Sequence, residues 1–146
     1  IVQGFLDRAE HDRLNIVARG TIVPDAPKGG HYTAPALIAD VDPKHSLAQD
    51  EIFGPVQVVI PFDTEEQAVA IAHGTAYAGI WTKDGARQMR LAKAIRAGQI
   101  FVNNYGAGGG IELPFGGFGH SGHGREKGFE ALYGFSTIKT VAAFHG

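Results

Sequence analysis

The sequence predicts an α/β fold, with a parallel βαβαβ sheet at its core and a separate strand at its C-terminal end. Three observations lead there. Residues 56–62 form a near-continuous apolar run with β-branched side chains, as a strand buried on both faces requires. Thr64-Glu65-Glu66-Gln67 matches a helix capping box, and Asp84 can cap a second helix. Residues 79–82 and 99–102 are short apolar segments, so short links join strand, helix, strand, helix and strand. That order gives two right-handed crossovers and a parallel sheet.

The elements follow in order. Val2, Phe5, Leu6 and Ala9 recur at helical spacing and mark an amphipathic helix over residues 1–12. Residues 14–19 are a short strand candidate ended by Gly20, and residues 24–30 are a turn-rich loop. Residues 32–41 read as extended chain, with Pro35 pointing to an edge or irregular strand. Asp42-Pro43 starts another loop, in which Ser46 and Asp50 are polar stops. After the strand over 56–62, Ala68, Ile71 and Ala72 supply the buried face of one helix. Ala86, Met89, Ala92 and Ile95 supply that of the next, with Gly98 placed for its left-handed C-terminal turn. Residues 125–133 suit a short helix and residues 135–144 a final strand.

Composition bounds the function. The 146 residues are 44% apolar and 19% charged, the proportions of one soluble globular domain. A net charge of −2 gives no pull toward nucleic acid, and no apolar run reaches the ~20 residues of a membrane span. With no cysteine there is no disulfide, zinc–thiolate site or thiol nucleophile in the chain. The opening Ile1-Val2-Gln3-Gly4-Phe5, without an initiator Met, leads us to expect a piece of something longer.

Several motifs compete for attention. Gly117-Phe118-Gly119-His120-Ser121-Gly122 fits the dinucleotide fingerprint letter for letter, but no strand leads into it and no acidic residue follows at the required distance. A tight backbone crossing explains those glycines equally well. Ser121 falls one residue short of a nucleophile elbow, and His120 and His123 lack a third metal ligand nearby, so no metal is expected. Arg87, Arg90, Lys93 and Arg96 recur every three residues and read as a solvated helix face. Asp50-Glu51-Ile52-Phe53-Gly54-Pro55 is more pointed. In extended chain Glu51 and Phe53 face the same way, ahead of a Gly-Pro turn. A carboxylate there can accept hydrogen bonds from both hydroxyls of a ribose, and a ring can pack on a nicotinamide face. Alternatively, Phe53 fills core and Glu51 is merely solvated.

Taken together, these residues resemble the C-terminal part of the NAD(P)-dependent aldehyde dehydrogenase superfamily. Glu51-Ile52-Phe53-Gly54-Pro55-Val56 is similar to its E-I-F-G-P motif, and Ala97-Gly98-Gln99-Ile100-Phe101-Val102-Asn103 to its A-G-x-x-x-V-N strand. Pro114-Phe115-Gly116-Gly117, then Ser121-Gly122 and Gly124-Arg125-Glu126, resemble its P-F-G-G…S-G-x-G-R-E signature. Tyr133 and Lys139-Thr140-Val141 match its end. The likeness runs in register from about Phe5 to Thr140. Three positions usual after the tyrosine matching Tyr77 are missing, and His73 stands where an asparagine is usual. The stretch Gly106-Ala107-Gly108-Gly109-Gly110 is smaller than the family's entrance loop.

The resemblance implies a partial catalytic domain over 1–134 and an oligomerisation strand over 135–146. It implies oxidation of an aldehyde to a carboxylic acid by NAD or NADP, through a cysteine thioester, in a cytoplasmic homo-oligomer. The cysteine, the glutamate base and the coenzyme domain would come from other regions of the enzyme, so no catalytic residue is expected in this chain. Glu51 is assigned to the nicotinamide ribose, Phe53 to the wall beside the ring, and Tyr105, Ile111 and Phe115 to the aldehyde entrance. Two other readings stand beside it: a non-catalytic interaction module derived from the same fold, and an unrelated α/β domain with a glycine-rich anion site.

Overall fold

The computed structural model describes residues 1–106 and 110–146, which form two compact units, Ile1–Phe62 and Asp63–Gly146. Among the described residues no helix is long and apolar enough to cross a membrane.

The first unit contains α1 (Val2–His11), β1 (Asn15–Arg19), β2 (Ala36–Ala39), α2 (Ser46–Gln49) and β3 (Val56–Val58). The predicted stripe of α1 does face inward: Leu6 and Ala9 are buried, with Val2 and Phe5 half-buried. Asp12 ends the helix. The next residue, Arg13, takes a left-handed φ of 56°, and Arg13 and Leu14 donate to the carbonyls of Glu10 and Ala9 at 3.0 and 2.9 Å. This is the Schellman arrangement, with arginine where glycine is usual. Leu14 thereby turns into the core formed by Ala9, Ile38, Val41 and Leu47.

The three strands lie in the order β1-β2-β3, with β1 antiparallel and β3 parallel to β2. Two expectations change here. The strand after Pro35 is the central one rather than an edge. Pro35 precedes β2, where its missing N–H breaks no ladder bond, and its carbonyl accepts from Gly20 N–H at 2.7 Å. Secondly, β3 pairs with β2, so the expected single βαβαβ sheet is divided in two. Nor is β3 buried on both faces: Val56, Val58 and Ile60 pack on the core, while Val59 and Phe62 are exposed. Ala9 of α1 and Leu47 of α2 pack with Ile38 of β2 in one core.

The second unit opens with α3 (Glu65–Ala72), β4 (Tyr77–Ile80), α4 (Gly85–Ala94) and β5 (Gln99–Val102). The capping box is complete: Thr64 Oγ1 accepts from Gln67 N–H at 3.2 Å, and Gln67 Oε1 accepts from Thr64 N–H at 3.3 Å. Replacing Thr64 with Ala should therefore cost about 1 kcal/mol, read as a lower urea midpoint at unchanged slope. The second crossover is as expected: β4 and β5 are parallel, paired from Tyr77 with Gln99 to Ile80 with Val102.

Asp84 caps α4 through Arg87 N–H at 3.0 Å, but the inward face is Gln88, Leu91, Ala92 and Ile95, and Ala86 and Met89 are exposed. Gln88 turns in because its amide donates to the Thr82 carbonyl at 2.8 Å. Gly98 is not the left-handed cap, since the helix closes on extended Ile95 (φ −72°, ψ 122°). Glycine is needed there because a Cβ would collide with the Gly116 carbonyl oxygen. Of the arginine row, Arg87 and Arg90 both donate to Glu65, at 2.6 and 2.8 Å, tying α4 to α3 and holding that carboxyl below its ordinary range.

A 3-10 turn (Gly119–Ser121) and α5 (Glu130–Gly134) follow, so the last helix is shorter and later than residues 125–133. The expected strand over 135–144 is not formed within the chain. A strand exists only where another edge pairs with its backbone, and among the described residues none does.

Candidate functional site

The E-I-F-G-P segment emerges from α2. Asp50 closes that helix by donating to the Ser46 carbonyl at 2.8 Å, and the next three residues alternate outward, inward, outward. Ile52 is buried, whereas Glu51 is exposed and Phe53 is 79% exposed. It is therefore Ile52, not Phe53, that fills the core. Phe53 also has φ 53°, a left-handed conformation that costs a bulky residue about 1 kcal/mol or more. The turn beyond is tight. Val56 N–H reaches the Gly54 carbonyl at 2.8 Å, and the Pro55 carbonyl accepts from Ala36 at the head of β2 at 2.9 Å.

Glu51 makes no hydrogen bond or ion pair among the described residues, so both lone-pair edges of its carboxylate remain open. The acceptor chemistry of the carboxylate suits a ribose diol and the bare ring suits a nicotinamide, so these residues fit a nicotinamide coenzyme. A shallow groove of about 620 Å³ runs along Ala18–Gly20, Pro35–Leu37 and Gly54–Gln57. Gly54 and Pro55 belong to its lining, while Glu51 and Phe53 stand outside it.

In the second unit, Tyr105 is exposed and meets Tyr77 edge to face, with centroids 6.3 Å apart and planes at 72°. Ile111 is 82% exposed, and its carbonyl accepts from Gly128 N–H at 2.7 Å. Phe115 is half-buried. Its backbone exchanges both hydrogen bonds with Glu126, at 2.7 and 2.6 Å, and Lys127 Nζ lies 5.9 Å from its ring centroid. Gln99, at the start of β5, donates from its side chain to the Pro114 carbonyl at 2.9 Å. The strand thus sets the height of the Phe115 ring. Ala107, Gly108 and Gly109 of the expected entrance loop lie outside the described residues.

The glycine-rich stretch serves backbone crossing. A Cβ on Gly117 would collide with the Ser121 carbonyl, and Gly119 and Gly122 are left-handed at φ 59° and 112°. A three-residue 3-10 turn takes the place of the strand-to-helix step that a dinucleotide fingerprint needs. The Ser121 hydroxyl donates to the Gly74 carbonyl at 2.9 Å, which holds a loop rather than serving a nucleophile. Among the described residues no cluster of three or more His, Asp or Glu is placed to hold a metal.

The strand β4 starts at Tyr77 itself. The four-residue link before it is pinned: His73 Nδ1 accepts from Arg96 N–H at 3.1 Å, and Gly74 N–H reaches the Arg96 carbonyl at 3.0 Å. Two groups carry more than the sequence signals. Asn103, left-handed at φ 49°, exchanges two side-chain hydrogen bonds of 2.9 Å with the Thr82 backbone, joining the ends of β4 and β5. Arg125 stacks 4.7 Å from the Phe118 centroid and donates to the Gly117 carbonyl at 3.2 Å.

The chain belongs to the aldehyde dehydrogenase family, whose family model matches residues 1–141. It is 42% identical over 129 residues to the NADP/NAD-dependent aldehyde dehydrogenase PuuC of Escherichia coli, covering 85% of this chain and 26% of that protein. To human 4-trimethylaminobutyraldehyde dehydrogenase it is 36% identical, over 99% of this chain and 30% of that one. The crystal structure of a Burkholderia cenocepacia protein assigned to the aldehyde dehydrogenases superposes with a TM-score of 0.87 at 63% identity, covering 99% of this chain and 31% of that chain. The NAD+ complex of a Mycobacterium tuberculosis aldehyde dehydrogenase superposes at 0.80, with 36% identity over 92% of this chain and 28% of that one. The chain thus spans less than a third of the length of these relatives.

Proposed function

We propose that this chain is the part of an aldehyde dehydrogenase that borders the nicotinamide and the aldehyde entrance, in an enzyme that oxidises an aldehyde to a carboxylic acid. The observation that carries this reading is the pair Glu51 and Phe53, exposed on either side of buried Ile52, with Phe53 in a left-handed conformation. A strained, solvent-facing phenylalanine is costly to keep unless something packs on it. NAD+ or NADP+ supplies the two-electron acceptor when bound. Glu51 accepts the hydroxyls of its ribose and Phe53 walls one side of the ring, which keeps the reacting carbon in place and water away from it. Tyr105, Ile111 and Phe115 border the path of the aldehyde. Residues 135–146 pair with a neighbouring subunit, and the thiol nucleophile and the rest of the coenzyme site come from regions of the enzyme outside this chain.

In the full-length enzyme, Glu51→Gln should weaken coenzyme binding and slow the oxidation step, because a neutral amide is the poorer acceptor for ribose hydroxyls. Phe53→Ala should slow the same step by up to about a hundredfold, since small misplacements of reacting atoms have effects of that size. Single-turnover kinetics with coenzyme titration measures both. Parental values in both variants would reduce Glu51 and Phe53 to structural residues.

A further inference from the structure

We infer that α1 is the platform that places the coenzyme-binding turn, with Asp12 and His45 as the positioning pair at its far end. The inference rests on the coenzyme reading of Glu51 and Phe53. Those two side chains make no polar contact of their own among the described residues, so the anchors of residues 45–55 must place them.

The anchors converge on α1 from both ends. At the near end, a Cβ on Gly54 would lie 2.6 Å from a Val2 methyl group, so the turn rests directly on the first turn of α1. At the far end, Arg8 Nη1 donates to Ser46 Oγ at 2.7 Å, and the His45 ring lies between two partners. Its Nδ1 is 3.1 Å from Leu47 N–H, and its Nε2 is 3.1 Å from Asp12 Oδ2. A backbone N–H can only donate, so Nδ1 must be the acceptor. The ring proton then sits on Nε2 and is given to the carboxylate. One imidazole thus caps α2 and ties it to the end of α1. Asp12 also meets His11 Nδ1 at 2.8 Å, and the two histidines hold its carboxyl below the ordinary range.

Between the anchors, Leu47 and Ile52 are sunk at 3% and 8% exposure, which leaves Glu51 and Phe53 outward. From Val2 to Asp12 the helix spans roughly 15 Å, a rigid measure laid under an eleven-residue segment that could otherwise stretch much farther. Releasing the far anchor should let α2 slide and the turn slacken, without removing any group that touches coenzyme.

The test uses the full-length enzyme carrying Asp12→Ala, His45→Asn, both together, and each with Glu51→Gln. Asparagine can still cap α2 but is too short to reach Asp12, so His45→Asn cuts the tether and spares the cap. Fluorescence titration with NADH and NADPH gives coenzyme affinity, and hydrogen exchange over residues 46–53 without coenzyme gives the slackening directly. Each single variant should weaken affinity about 3- to 10-fold and speed exchange in that segment. The double variant should be no worse than either single, because the two act through one bond. Asp12→Asn, which keeps an acceptor oxygen, should stay within about twofold of the parent. In the Glu51→Gln background the effect of Asp12→Ala on affinity should largely vanish. Unchanged affinity and exchange in both single variants, with Glu51→Gln still weakening binding, overturns the positioning role and leaves the coenzyme reading intact. Unchanged affinity in Glu51→Gln itself overturns both.

Discussion

Incubated with a saturating aldehyde and either NAD+ or NADP+, the 146-residue chain on its own is expected to form no reduced coenzyme above background. The chain has no cysteine, so it cannot offer the thiolate on which the proposed reaction depends. Removal of the nucleophile from enzymes that work through a covalent intermediate lowers the rate by several powers of ten. The geometry adds a second reason. Glu51 and Phe53 stand open to solvent, and a coenzyme held by one carboxylate and one ring in water gains little, because each contact competes with hydration. The measurement is absorbance at the reduced-nicotinamide band with the purified chain at high concentration. A rate proportional to chain concentration would mean that some other group here attacks aldehydes.

What the sequence revealed of the fold was what neighbours along the chain decide. Thr64 with Gln67, Asp84 with Arg87, and the Leu6–Ala9 stripe each act within one helical turn, and each stands in the structure as its pattern implied. What it concealed was set by distant partners. No spacing in residues 56–62 says that they pair with Ala36–Ala39 rather than with Tyr77–Ile80. Met89 outranks Gln88 on any apolar scale, yet Gln88 turns inward because the Thr82 carbonyl, six residues back, satisfies its amide. Gly98 carries the ordinary signature of a helix stop, but its purpose is room for Gly116, eighteen positions on.

The candidate site divides in the same way. That Glu51 and Phe53 share a side was readable from their spacing, and so was the Gly-Pro turn that follows, but not that Ile52 rather than Phe53 is the buried one. The left-handed conformation of Phe53 was not, because nothing in a phenylalanine favours it. His45 and Asp12 are thirty-three positions apart and carry no motif; only the fold of α1 against α2 joins them. The contact of Tyr105 with Tyr77 likewise joins residues twenty-eight positions apart that no motif links.

Removing residues 136–146 from the full-length enzyme is expected to lower its oligomeric mass. Phe135, Ile138, Val141 and Phe144 are 90%, 95%, 79% and 94% exposed, an apolar series far larger than isolated surface residues account for. Thr137, Lys139 and Thr140 interleave polar groups, and apolar residues three apart fall alternately on the two sides of an extended chain, so the segment is two-faced, with apolar and polar groups on each side. Its backbone carries no strand partner among the described residues, which leaves N–H and C=O groups ready to extend a sheet in another subunit. Pairing of that kind satisfies the backbone and covers apolar side chains on either side of the strand, with burial of each contributing about 1.5–3 kcal/mol before ordering costs. Lys139→Ala, which leaves both the backbone and the apolar series in place, should keep the parental mass. Sedimentation or light scattering on the truncated enzyme decides the matter, and an unchanged oligomer would rule this interface out.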